Sequence, residues 1–390
     1  MQDGEGQDMK IELDTIYRRI VDHLENGTTD MAADSIEVPA AHFTDTDHLA
    51  RELEVFRRQP LAAATSMEVP EPGSFVTRDI LGVPLLIVRQ KDGSVGVFRN
   101  MCRHRGGKVE QGDKGKKPFF VCAYHGWSFK GDGSLRGVPF EEQYGTLDKG
   151  CRNLFSVEAE ERHGLIWIKL PQAPQDLSLA DYLGEADERL AAYDIERLTV
   201  FMDQKIDLDI NWKLVMDGAI DVLHPQFLHA EGVGKLIQTG AAVWLDLGRH
   251  GQSYSARKRL ARKLKAGEPI DKGFRYLTGN LMIFPNMSVI PTPDHIEHWT
   301  VWPHLTDPGK CHVHIRFLTD PAKLTDEVAA RINRSWDILR QAATEEDFPM
   351  EEMIQANAAA LPTTDFLYGA NEVPTQHLHL QMAREFEALT

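Results

Sequence analysis

The sequence predicts an α+β chain in which a small all-β domain precedes a larger domain of mixed strands and helices. Three observations carry that prediction. Hairpin patterns recur between about residues 70 and 170, strand-like and helical runs interleave beyond 195, and the last seventy residues are mainly helical in pattern. In chain order, "KIELDTIYRRIVDHLEN" (10–26) spaces Ile11, Leu13, Ile16, Ile20 and Leu24 as an amphipathic helix. "GVPLLIVRQKDGSVGVFRN" is two β-rich runs around an Asp92-Gly93 turn, and "FKGDGSLRG" repeats the pattern at Asp132-Gly133. "HGLIWIKL" closes the all-β region, and "PQAPQDLS" reads as a linker. Beyond it, "LTVFMDQKIDLDI" alternates like a strand and "NWKLVMDGAIDVLHPQFLHA" is helical. Strand-like runs follow at 274–290, 295–302 and 311–318, then helices from "TDEVAARINRSWDILRQAATEED" to "QMAREFEAL".

Composition narrows the function. The 390 residues have room for two or three cores, and a net charge of −16 argues against general affinity for nucleic acid or anionic membranes. The basic run "RKRLARKLK" (257–265) lacks interleaved aromatics and reads as a solvated helical face. No run approaches the ~18 apolar residues of a membrane span, and "MQDGEGQDMK" lacks the order of a signal peptide. Four cysteines in such a length are no disulfide framework, so a reduced, cytoplasmic protein is expected, with Cys151 and Cys311 as small core residues.

The other two cysteines carry chemistry. "CRHRGG" and "CAYHGWSF" give Cys102-x-His104, seventeen residues, then Cys122-x-x-His125. A structural zinc site accepts two Cys and two His, but zinc fingers usually group like with like. One Cys and one His on each of two loops suits a binuclear centre, with both thiolates on one iron and both imidazoles on the other, as in a Rieske [2Fe–2S] site. Neutral imidazoles in place of two thiolates remove negative charge and raise the potential. Gly106, Gly107 and Gly126 let the backbone approach such a cluster.

A second set lies in "DGAIDVLHPQFLHA", where His224 and His229 stand five apart and Asp221 three before the first. Five residues of ideal helix turn through ~140°, so the imidazoles share a face only if the segment bends, for which Pro225 is the candidate. Two histidines and one carboxylate form the facial triad of non-haem Fe(II) oxygenases. "AATEEDFPMEEM" offers Glu345, Glu346 and Asp347 at a helix end, with Asp347 favoured as the third ligand. Met216, Ile220, Met282 and Phe284 suggest an apolar pocket wall, and His295, His298, His312 and His314 read as core or edge residues.

These motifs resemble those of the ring-hydroxylating Rieske non-haem iron oxygenases, in their alpha (oxygenase) subunit. The resemblance covers nearly the whole chain, including Asp221-Val-Leu-His224-Pro-Gln-Phe-Leu-His229, "IFPN" at 283–286 and the terminal helix. It implies an N-terminal helical segment (1–45) packing on the catalytic domain, a β-sandwich-like Rieske domain (46–170), and a helix-grip catalytic domain (171–390), an antiparallel sheet wrapped on a long helix. It implies one [2Fe–2S] cluster on Cys102, His104, Cys122 and His125, and one Fe(II) on His224, His229 and Asp347. O₂ would be the co-substrate and an aromatic or other largely apolar small organic molecule the substrate. The product would be a cis-dihydrodiol or a hydroxylated compound; an O- or N-demethylating monooxygenase is the alternative within enzymes. A non-catalytic Rieske electron carrier is the alternative from another class. No flavin or nicotinamide fold is legible, so a separate reductase, with or without a ferredoxin, is expected as electron donor. Residues 102–136 hold eight Lys/Arg against three Asp/Glu, a basic patch suited to an acidic donor. The resemblance further implies a head-to-tail homotrimer, with or without a small beta subunit. In it Asp221 would bridge the neighbour's His125 and its own His224 for electron transfer.

Overall fold

The computed structural model describes residues 2–270 and 275–389, with side chains from residue 13 onward. The chain divides into two compact units, one of residues 56–182 and 194–199, the other of 1–55, 183–193 and 200–390.

The first unit is built from three small sheets. Val95–Arg99, Val83–Arg89, Ser74–Ile80 and Lys114–Lys116 form one, in that order. Phe119–Val121, Ser128–Lys130 and Leu135–Gly137 form another, and Glu158–Arg162, Leu165–Lys169 and Leu61–Thr65 the third. Both expected hairpins are present, one across Asp92-Gly93 and one across Asp132-Gly133. Their inward faces make a core of Phe75, Leu86, Phe120, Trp127 and Phe129 that also takes in Cys102 and Cys122. Cys311 is buried as expected, but Cys151 is exposed beside Asp148, in a short 3₁₀ turn rather than a core.

The second unit is dominated by a seven-stranded sheet. Its order is Thr199–Leu208, Cys311–Thr319, Ile296–Pro303, Met287–Pro291, Leu277–Ile283, His250–Arg257, Ile237–Leu247. The strands Ile237–Leu247 and His250–Arg257 fall where no strand is read from the sequence. His250–Arg257 is buried along nearly its whole length, and Ile237–Leu247 mixes buried, half-buried and exposed positions with no two-residue repeat, so neither shows the alternation that marks a half-exposed strand. The helix Gln2–Asn26 packs Ile16, Tyr17 and Ile20 against Val243, Tyr254, Ala256 and Leu277. The side chain of Ile11 lies outside the described residues.

A nine-residue helix, Trp212–Ile220, runs across this unit, too short to be stable alone. Asn211 caps it, its side chain accepting from the Lys213 N–H at 2.9 Å. Its first turn is then held by a buried polar cluster. Lys213 is ion-paired with Glu52 and donates to the His42 carbonyl at 2.9 Å, and Trp212 Nε1 donates to Glu52 at 2.8 Å. Gly218 allows close approach to the helix Phe348–Ala360, since a Cβ there would stand 2.2 Å from Glu351 Oε1.

Burial acts to raise the Glu52 carboxyl, but the charge of Lys213 and hydrogen bonds from His48 and Lys213 outweigh it and hold the group at about 2, against an ordinary 4.5. A depressed carboxylate contributes stability that is present above its unfolded value and lost as pH falls toward its folded one. Glu52 should therefore add about 3 kcal/mol above pH 4.5, lost progressively between pH 4.5 and 2. Glu52→Gln, which leaves Lys213 buried without its counter-ion, should cost about 3–5 kcal/mol and flatten that limb of an acid-denaturation curve.

Candidate metal centres and active site

The two Cys/His loops are the same turn built twice. In one, Cys102 N–H donates to the Gly107 carbonyl (2.7 Å) and Gly106 N–H to the Cys102 carbonyl (2.9 Å). In the other, Cys122 N–H donates to the Trp127 carbonyl and Gly126 N–H to the Cys122 carbonyl, both at 2.9 Å. Each turn needs a residue at positive φ, supplied by Gly106 (+81°) and Gly126 (+72°). The loops face each other with Cys102 and Cys122 within hydrogen-bonding reach and the His104 and His125 rings 4.6 Å apart. His104 stacks on Trp127 at 5.1 Å, which fixes its plane. Nδ1 of His104 and Nδ1 of His125 are both buried without a partner among the described residues. Burial pushes the Cys102 thiol up to about 11, so a thiolate there calls for a nearby cation. Two buried sulfurs and two orphaned ring nitrogens on facing loops fit a [2Fe–2S] cluster with mixed ligands.

In the other unit the helix stops at Asp221, which turns to extended backbone (ψ 137°), and restarts as Pro225–Leu228. Pro225 stands at the first turn of that second helix, so it opens a helix rather than kinking one. Asp221 is what makes the break. Its carboxylate accepts from the Leu223 N–H (2.6 Å) and the His224 N–H (3.3 Å), and pairs with His224 Nδ1 (3.0 Å). Burial works to raise its carboxyl, but those bonds and the His224 charge hold it below the ordinary carboxylate range.

This break turns the two imidazoles toward each other, Nε2 to Nε2 at 3.2 Å. Asp347 Oδ1 lies 2.9 Å from His229 Nε2 and 3.6 Å from His224 Nε2. One ligand atom from each of the three residues falls within 4.8 Å of the others, a group able to hold a metal ion. Asp347 does not sit at a helix end. Asp326–Gln341 passes through a π-helical turn, Ala342–Asp347, directly into Phe348–Ala360. The extra residue of that turn rotates Asp347 inward, a use to which π-turns are often put. Glu346 is brought in too, but to His229 Nδ1 at 2.5 Å, on the far side of the ring. Burial opposes the charged His229 imidazole, yet Asp347 and Glu346 together raise it. Thus both histidines present Nε2 inward while a carboxylate holds Nδ1, the arrangement that fixes the tautomer of a metal-bound imidazole. Sequence reasoning missed the Glu346 contact; the only available signal was the run of three acids.

Two cavities flank these side chains, and His224, Asp221, Gly218 and Asp347 line both. One, of about 470 Å³, continues to Tyr368, Glu351 and Glu372. There Asp217 accepts from the Tyr368 hydroxyl (2.7 Å) and pairs with His379 Nε2 (3.0 Å). Burial, then Asp347 and Asp217, push the Glu351 carboxyl well above its ordinary range. The other, of about 540 Å³, runs to the sheet and is lined by Ile220, Ile290, Ser255, Arg257, Asn280 and Trp299 among others. Of the expected apolar wall only Ile220 lines it; Met216, Met282 and Phe284 are buried elsewhere in the core. His295 lines this cavity, whereas His298 and His314 are buried in the sheet.

Residues 59–155 match the Rieske [2Fe-2S] domain family model, and residues 195–388 match that of the ring hydroxylating alpha subunit, catalytic domain. The benzene 1,2-dioxygenase subunit alpha of Pseudomonas putida is 34% identical over 341 residues, 75% of this chain and 72% of that one. The chain belongs to the ring-hydroxylating oxygenase alpha subunits. The two matched domains imply a Rieske [2Fe–2S] cluster and a mononuclear iron. A second relative of this oxygenase chain is the glycine betaine monooxygenase oxygenase subunit of Chromohalobacter salexigens, 30% identical over 204 residues. That match covers 52% of this chain and 45% of the relative, so the chain spans about half the length of the first curated relatives it matches. In fold it is similar to a quaternary ammonium Rieske monooxygenase with L-carnitine (TM-score 0.75, 19% identity, 91% and 96% of the two chains). It is similar too to naphthalene 1,2-dioxygenase from Rhodococcus sp. bound to indole (TM-score 0.70, 22% identity, 96% and 97%).

Asp347→Ala should abolish mononuclear iron while leaving the visible absorption and reduced-state EPR signal of the cluster. Glu346→Gln should retain iron with affinity weakened about 10–100-fold. His125→Cys should change or remove the EPR signal without touching mononuclear iron. Metal analysis that finds full iron in Asp347→Ala and none in Glu346→Gln would exchange the two acids' roles.

Proposed function

We propose that this chain is a terminal oxygenase that hydroxylates a small organic molecule with O₂ and electrons from a separate reductase or ferredoxin. In this reading Cys102, His104, Cys122 and His125 hold the cluster, and His224, His229 and Asp347 hold the mononuclear iron. The observation that carries it is the convergence of His224 Nε2, His229 Nε2 and Asp347 Oδ1 beside a 540 Å³ cavity, in a chain that also builds the paired Cys/His loops. Three protein ligands would leave coordination positions open, and the bound cluster and iron would relay the donor's electrons and supply the Lewis acidity that activates O₂. The chain's own part is geometric and electrostatic. Asp221 and Glu346 orient the two imidazoles, the apolar residues Ile220, Ile290 and Leu339 exclude water, and the sheet face positions the substrate.

The same reading makes Asp221 the bridge between subunits of a head-to-tail homotrimer. Two features support it. Tyr124, Phe140 and Phe155 are exposed in the unit that holds the Cys/His loops, and the 470 Å³ cavity that reaches Asp221 is rimmed by exposed Met350 and Leu367. A ring that closes by a heterologous contact would cover both faces. The basic stretch 102–136 would receive the donor, chiefly through its exposed lysines outside the Lys116–Glu71 and Lys117–Glu110 pairs. No helix among the described residues is long and apolar enough to cross a membrane, and all four cysteines are free, in keeping with a cytoplasmic enzyme. Demethylation is the second reading, supported by the similarity to a glycine betaine monooxygenase oxygenase subunit.

Holoenzyme with a surrogate reductase should contain about three irons per chain and consume O₂ in a substrate-dependent way. An electron carrier would contain about two and consume none. For the bridge, His125→Ala and Asp347→Ala should each be inactive, while co-assembled rings of the two should recover part of the activity. Well-folded mixed rings that stay inactive would confine transfer to one subunit.

A further inference from the structure

The substrate-side cavity is walled by one face of the sheet. Ser253 pairs with Asn280 and Ser255 with Thr278, while Ile290 pairs with Glu297. Arg257 continues the Ser253-Ser255 row, and Trp299 continues the row from Glu297. All of these line the cavity. The opposite side of the same space is apolar, with Ile220, Val222, Leu236, Ile338 and Leu339.

The charged groups on this wall are unequally committed. Asp294 and Arg331 neutralise each other through two bonds, at 2.8 and 2.9 Å. Glu297 stands 3.8 Å from His295 Nε2. Arg334 is exposed at the end of the cavity. Arg257 differs from all of them. Its Nε donates to Thr278 Oγ1 at 3.2 Å, and among the described residues no carboxylate lies within ion-pair distance of its guanidinium. Burial draws its pKa below the ordinary arginine value, against the pull of Glu297. Elsewhere on the wall, Trp299 Nε1 is buried with no acceptor among the described residues. A half-buried guanidinium with its terminal nitrogens uncommitted is costly, and so is an orphaned indole N–H. A planar carboxylate is the group that satisfies a guanidinium fork with two charge-assisted bonds.

We propose that Arg257 is a specificity-determining residue that anchors a carboxylate of the substrate, so that the substrate is an organic acid with an apolar body rather than a neutral hydrocarbon. This rests on the oxygenase reading and narrows it. Two sources share that chemistry, an aromatic carboxylic acid and a zwitterionic ammonium acid, for which Glu297 would take the cationic end.

Binding, not turnover, tests it. Dissociation constants would be measured by calorimetry on holoenzyme. The probes are benzoate, salicylate, glycine betaine and carnitine, with benzamide, methyl salicylate and choline as partners lacking the carboxylate. At least one acid should bind, and bind more tightly than its partner. Arg257→Met should weaken that acid about 10–100-fold, with Arg257→Lys between the two. Cluster absorption and iron content serve as controls for folding. If Glu297→Gln weakens only glycine betaine or carnitine, the substrate is the zwitterion; if it leaves the binding acid unaffected, it is the aromatic acid. The assignment is overturned if no acid in the panel binds, if the partners lacking carboxylate bind as well, or if the acid keeps its affinity in Arg257→Met with normal iron. Failure of the oxygenase reading looks different: it would show as missing mononuclear iron, whatever the acids do.

Discussion

The position of the candidate metal site depends on how one short helix is held. Trp212–Ile220 has nine residues, and its last turn delivers Asp221 and then His224. The helix is fixed at its other end, where Lys213 and Glu52 are both fully buried and paired, with Trp212 and His42 completing the bonds. Apolar side chains of similar volume could stabilise that junction as well, since the desolvation of two charges offsets much of their attraction. What the pair adds is direction. Lys213 has one place to put its charge, so the helix has one rotation about its axis, and the C-terminal break falls beside Asp347.

Around that break the protein gathers five carboxylates. Asp217, Asp221, Glu346, Asp347 and Glu351 stand within two helices of each other, and like charges at low dielectric repel. Each is handled separately. Asp217 is met by Tyr368 and His379, Asp221 by His224 and two backbone N–H groups, and Glu346 by His229. Glu351 has no such partner on Oε2, and burial with its acidic neighbours favours its neutral form. Asp347 alone points at the space between the two imidazoles. The cation that such a constellation lacks among its side chains is one a metal supplies.

Much of this was legible in the sequence because the ligand motifs are local. A Cys and a His on one turn, or two His across one break, lie within six residues of each other. Their spacing therefore survives without knowledge of the fold. The mixed α+β order and both hairpins were readable for the same reason. What was not readable is what depends on long-range pairing. The strands Ile237–Leu247 and His250–Arg257 carry no two-residue alternation, the second because it is buried throughout and the first because its exposure follows no such repeat, so they were passed over. That omission also misplaced Arg257. Read with the basic residues after it, it belongs to a solvated helix; in the structure the helix starts one residue later, at Lys258, and Arg257 ends a strand that lines the 540 Å³ cavity. Glu346 and Asp347 are neighbours in sequence with opposite uses, and only the π-turn decides between them.

The parity of those overlooked strands sets the chemistry of the cavity. Successive residues of a strand point to opposite faces, so a one-residue slip exchanges the faces entirely. On Ser253-Tyr254-Ser255-Ala256-Arg257 the odd positions line the cavity, while Tyr254 and Ala256 pack with Leu277 and Val243. The helix Gln2–Asn26 covers that second face with Ile16, Tyr17 and Ile20. A slipped register would bury Arg257 under that helix and turn Tyr254 into the cavity, at the cost of an unpaired charge in an apolar core. An element at the start of the chain, far from any ligand in sequence, thus holds the polar wall in place by covering the apolar residues that alternate with it. Substrate choice in this fold is then a property of sheet register as much as of any single side chain. The N-terminal helix belongs to the site even though none of its described side chains lines it.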